Sequence, residues 1–170
     1  MSANVMKVWQ ITSLVGTLIF LFAGVLPVVS VQFVTAFQIS LFDTYGWITG
    51  GRYTVETTPQ WNEAFSVVAA GFFIIAVLFP IIVFVGLISV FKSPKLSFIA
   101  GFLGSIYSVS AIVAVLQLKS LIVELGGSLG ALAASFIQIG NGVYVSLLGS
   151  AVLLVSYPIA IRKGKASESS

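Results

Sequence analysis

Four long runs of apolar residues limit what this chain can fold into more than any other feature. They cover about 8–29, 64–91, 96–118 and 136–161 of the 170 residues. A helix needs about 20 mostly apolar residues to cross a bilayer. Only 8% of the residues are charged and the mean hydropathy is +1.12. A soluble domain carries about 25% charged residues, and a water-soluble fold cannot hide this much apolar side chain. The sequence predicts an all-α membrane fold over 1–170, a four-transmembrane-helix bundle whose first partner is the lipid bilayer.

The first run follows Lys7. A cleaved signal peptide also places an apolar run after a basic residue. This run is longer than a usual signal core and lacks an A-x-A site, so it reads as a span. Pro27 sits near its outer end. Pro80 lies within the second run and predicts a kink there. Lys92-Ser-Pro-Lys95 reads as a tight turn. The third helix is expected to reach Leu125, where Gly126-Gly-Ser-Leu-Gly130 breaks it.

The loops at about 30–63 and 119–135 differ in character. Between Val31 and Leu41 apolar residues alternate with Gln32, Gln38 and Ser40, which is strand-like period two with a bulge expected near 36. β-branched and aromatic runs then flank Gly50-Gly51, a hairpin signal. The expectation is a small extracellular antiparallel β-sheet of about three strands in the first outer loop. Pro59 ends it, with Thr58 or Asn62 capping the next helix.

Lys7, Lys92, Lys95, Arg162, Lys163 and Lys165 fall on one side of the expected spans, and only Arg52 and Lys119 on the other. Basic residues in short loops mark the cytoplasmic face. Both termini are therefore expected in the cytoplasm of a cell-membrane protein, with the sheet outside.

The chain has no Cys and no His. Disulfides, thiolate or imidazole metal sites, Cys nucleophiles and His bases are excluded. No basic run is interleaved with aromatics, which argues against nucleic acid. Asp43, Glu56 and Glu63 share a loop, yet their spacing matches no metal-binding pattern and reads as solvated charge. Lys119 and Glu124 stand five apart, which is not a favoured helical pair. No charged residue lies inside a span, which argues against a pump or an ion-coupled carrier. Gln10, Gln117, Gln138 and Asn141 sit near span ends and read as interfacial anchors or interhelical hydrogen bonds rather than a pore lining. The sequence points to a non-enzyme with no cofactor and no metal.

Lipid gives helices no hydrophobic reason to associate, so small residues four apart mark close contacts. Ala100, Gly104 and Ser108 form one such row, with Gly101 and Ser105 beside it. Gly142, Ser146 and Ser150 form another. Trp61 reads as an interfacial aromatic. Trp47 and Tyr53 flank the expected Gly50-Gly51 turn, next to Arg52. They either pack on the sheet or contact a partner, because Trp, Tyr and Arg dominate binding hot spots.

Leu26-Pro27 ahead of a strand, Tyr45-Gly46-Trp47 in the first loop, and Asn141-Gly-Val-Tyr-Val with Leu147-Leu-Gly in the fourth span are similar to patches of the claudin and peripheral-myelin-protein superfamily. The topology resembles that family over the whole chain, although the Cys pair of the claudin first loop is absent. The resemblance implies an extracellular sheet used for lateral or cell–cell assembly, or for modulating a larger membrane partner. A homo-oligomer is one expectation. An accessory subunit of a larger respiratory or transport complex is a second, and a channel or carrier for a neutral solute is a third.

Overall fold

Each apolar run becomes a helix, but the helices differ in length, and the sheet occupies the difference. In this computed structural model, residues 6–32, 36–41 and 59–168 are described, the side chains of 36–37, 59–67, 69 and 163–168 excepted. Among them the order is α1 (Val8–Ala23), β1 (Pro27–Gln32), β2 (Ala36–Ser40), α2 (Pro59–Lys92), α3 (Pro94–Ser135), β3 (Ile137–Ile139) and α4 (Asn141–Glu168). Three helical stretches are long and apolar enough to cross a membrane: Ala70–Lys92, Pro94–Ser135 and Asn141–Arg162. The 16 residues of α1 rise only about 24 Å at about 1.5 Å per residue.

Local chemistry sets the helix ends. Proline suits the first turn because its missing N–H has no helical partner there, and Pro59 and Pro94 open α2 and α3. Ser93 caps α3, its hydroxyl accepting from the Lys95 N–H at 3.2 Å. α2 runs through Pro80. α3 is broken at Gly127, whose φ of 54° and ψ of −131° suit glycine alone. The chain reverses there, so that Gly130 lies against the Ile122 carbonyl.

The helices pack in a ring in which α1 and α3 each touch both α2 and α4. At one end Gln10 accepts from the Lys7 N–H at 2.7 Å and donates to the Val90 carbonyl at 2.9 Å. Near the middle Phe20, Phe79 and Tyr107 meet with ring centroids 5.2–6.1 Å apart. Val28, Val29, Ile39, Leu41, Leu121 and Ile137 continue the same buried cluster into the sheet. The exterior is strongly apolar, with Phe84 65% and Phe91 83% exposed.

Several expectations are corrected. α1 stops at Ala23 rather than near 29, because Pro27 opens a strand and has no N–H to continue a helix. The fourth helix starts at Asn141 rather than 136, because 137–139 is extended. The break expected within Gly126–Gly130 falls at Gly127, but helix resumes beyond it and runs to Ser135, so the expected outer loop at 119–135 is largely helical. The sheet is not confined to the first loop. Its order is β2-β1-β3, so the second connection supplies an edge strand. The single extended run expected over 31–41 is two strands paired antiparallel, Gln32 facing Ala36. The register irregularity falls between Pro27 and Val29 rather than near 36. A bulge breaks the side-chain alternation, and consecutive Val28 and Val29 are both buried there. The hairpin expected at Gly50-Gly51 lies outside the described residues.

Candidate partner-binding face and the contacts beneath it

The register of the sheet sorts its residues into rows. Ser30 faces Gln38 on one side and Gln138 on the other. Val29 faces Ile39 and Ile139 in the next row. Successive strand residues point to opposite faces. Val29, Ile39 and Ile137 are buried in the core, whereas Gln38 and Gln138 are exposed and Ser30 is half-buried. Exposed Gln32 lies two residues beyond Ser30 on the same face. Among the described residues the outward face is therefore polar and uncharged, and its amides offer hydrogen-bond donors and acceptors.

Two glycines fix this face to the helices. The Gly140 N–H donates to the Val28 carbonyl at 2.8 Å, and a side chain on Gly140 would overlap the Pro27 carbonyl. A Cβ on Gly142 would lie 2.8 Å from the Leu26 carbonyl oxygen and 2.9 Å from that of Ala23. The link from α1 to β1 thus rests directly on the link from β3 to α4.

Below, the two predicted small-residue rows meet between α3 and α4 at Gly104, Ser108, Ser146 and Ser150, whereas Gly142 faces the end of α1. Ala100, Gly104, Ser108, Gly142, Ser146 and Ser150 are all buried. The Ser108 and Ser146 hydroxyls are 2.7 Å apart, and Gly104 lies against Ser150. Gly101 approaches α4 as closely: a Cβ there would be 2.7 Å from the Leu154 nitrogen. Ser97 and Ser156 share a further hydroxyl contact. Sequence reasoning missed the contact of α1 with α4, where a Cβ on Gly149 would lie 2.9 Å from the Phe20 nitrogen and 3.1 Å from the Gly16 carbonyl. The signal on the α4 side was the seven-residue spacing of Gly142 and Gly149, both of which face α1 or the turn after it. It missed as well the Ser13–Ser89 pair joining α1 to α2 at 2.5 Å.

Other singled-out residues scatter. Trp47, Arg52 and Tyr53 lie outside the described residues, as do Asp43 and Glu56 and the side chains of Trp61 and Glu63. Gln117 and Asn141 are exposed, and neither belongs to the interior. Lys119 is half-buried and Glu124 exposed. Among the described residues no group of three or more His, Cys, Asp or Glu is placed to hold a metal, and no buried side-chain nitrogen or oxygen lacks a hydrogen-bond partner.

Comparison with known proteins adds no relative: no family model matches the chain, and neither does any curated protein or solved structure.

Proposed function

We propose that this is a non-enzymatic multi-pass membrane protein whose outer sheet binds a partner, in the manner of the claudin and peripheral-myelin-protein superfamily. The apolar exterior supports the membrane placement, since 18 or more apolar helical residues in a row are stable in hydrocarbon. Four spans result if α1 and the turn after it cross together. The basic residues Lys7, Lys92, Lys95 and Arg162 gather at the bundle end remote from the sheet. The positive-inside rule then puts both termini in the cytoplasm and the sheet outside the cell.

The observation that carries the reading is the Gln38–Ser30–Gln138 row. It is a polar face on strands from two separate connections, held rigid by Gly140 and Gly142. A rigid outward face between two edge strands is suited to binding a protein, either a second copy or a different chain. A solute channel is disfavoured because Phe20, Phe79 and Tyr107 fill the middle of the bundle. One observation favours the accessory-subunit reading: exposed Phe73, Val77, Phe84 and Phe91 share one face of α2, and such a stripe suits docking against other membrane helices.

Native mass measurement after mild detergent extraction tests these readings. A defined homo-oligomer supports self-assembly through the sheet. Stoichiometric co-purification with larger subunits supports the accessory role. A strict monomer at all concentrations, with no co-purified chain, would count against both.

A further inference from the structure

We propose that the ends of α3 and α4 remote from the sheet form a seat for one anionic phospholipid, an inference that rests on the membrane reading above. On α3, Lys95, Phe98 and Phe102 follow one another at helical spacing along one face, and all three are exposed. Read from the bundle end inward, the order is cation, ring, ring. Phe98 meets Tyr157 of α4 with centroids 5.6 Å apart and planes 52° apart, so the pair bridges the groove between the two helices. Arg162 is exposed about one and a half turns nearer the end of α4. Lys92 is exposed just across the Ser93-Pro94 turn.

This order matches the layers of a phospholipid. A headgroup phosphate would lie level with Lys95 and Arg162, and its glycerol level with the Tyr157 ring. An acyl chain would run along Phe98 and Phe102. Aromatic residues settle at the headgroup level, and each basic residue near an anionic surface contributes about 1 kcal/mol. That end carries Lys7, Lys92, Lys95, Arg162, Lys163 and Lys165 against the single acid Glu168. Topology alone accounts for the sign of the charge there. It does not account for a bridging ring pair directly beneath Lys95.

The test is lipid retention by native mass spectrometry, with the full chain offered equal amounts of phosphatidylglycerol and phosphatidylcholine. The unmodified protein should retain the anionic lipid preferentially, and the preference should fall with added salt. Lys95→Gln should lower it about fivefold, the equivalent of about 1 kcal/mol. Lys119→Gln, at the opposite end, should leave it unchanged. Equal retention of both lipids, a preference indifferent to salt, or equal effects of the two substitutions would overturn the proposal. The salt series needs no variant, so a misfolded Lys95→Gln protein does not remove the test. Alkaline carbonate extraction from phosphatidylcholine vesicles separates the two levels of inference. Release by carbonate would sink the membrane reading, whereas a firmly inserted protein without lipid preference would sink only the seat.

Discussion

Gly140 donates its backbone N–H to the carbonyl oxygen of Val28 at 2.8 Å, and this bond closes the sheet onto the helices. The residue must be glycine because any Cβ would overlap the Pro27 carbonyl, and backbone cannot yield as a flexible side chain does. Gly140→Ala should cost about 1–3 kcal/mol, the range for forcing extra volume into a packed site. It should also speed amide exchange in β1. Thermal unfolding in detergent and hydrogen exchange measure the two effects. An unchanged melting temperature with unchanged exchange would mean that the sheet does not depend on this contact.

The neighbouring glycines Gly126 and Gly127 should respond in opposite directions. Gly127 holds φ 54° and ψ −131°, so an alanine there adds backbone strain of about 1–3 kcal/mol. Gly126 has no positive φ, and a methyl group on its Cα would meet nothing within 4 Å. Alanine at Gly126 should stabilise the helix by roughly 0.5–1 kcal/mol. The melting temperatures should rank Gly126→Ala above the unmodified protein and Gly127→Ala below it. The reverse order would contradict the reversal of the chain at Gly127.

The helical runs were legible in the sequence because about 20 consecutive apolar residues have few other uses. The end of α1 was not, because Val28 and Val29 are as apolar as the helix before them, and only the capping Gly24 and Pro27 mark the change. The division of this stretch into β1 and β2 escaped notice for a related reason. Residues 31–39 contain no Gly, Pro, Asn, Asp or Ser, the residues that ordinarily announce a turn. β3 is three residues long, too short for a period-two signal, and its partner β1 lies on the far side of α2 and α3 in the sequence. Rows of small residues four apart pointed to the α3–α4 contact. Gly16 is the one glycine within α1, so its approach to Gly149 was marked in the sequence only on the α4 side, by the spacing of Gly142 and Gly149.

The Ser108–Ser146 pair should couple weakly. Its hydroxyls are 2.7 Å apart, but each also reaches a carbonyl of its own helix, Gly104 at 2.9 Å and Val143 at 2.7 Å. Each hydroxyl has one proton, so the bond across the helices competes with a bond along one of them. Interhelical hydrogen bonds in membranes average about 0.6 kcal/mol. A double-mutant cycle of Ser108→Ala and Ser146→Ala should return a coupling of about that size. Strict additivity would mean that each hydroxyl serves only its own helix.

The polar face of the sheet makes the most direct prediction about function. Gln38 and Gln138 are exposed on the two edge strands and flank Ser30 in one row. Replacing both with Lys should leave stability within about 0.5 kcal/mol, since exposed positions away from caps and buried networks tolerate change. Lysine on edge strands opposes pairing with another chain, and two added charges must be desolvated when the face is covered. The double variant should therefore run as a lighter species in native mass measurement, or lose its co-purified partner, with an unchanged melting temperature. Gln117→Lys, also exposed but outside the sheet, should assemble normally. Assembly that survives Gln38→Lys and Gln138→Lys together would move the binding surface off this face and toward the exposed Phe73–Phe91 stripe of α2.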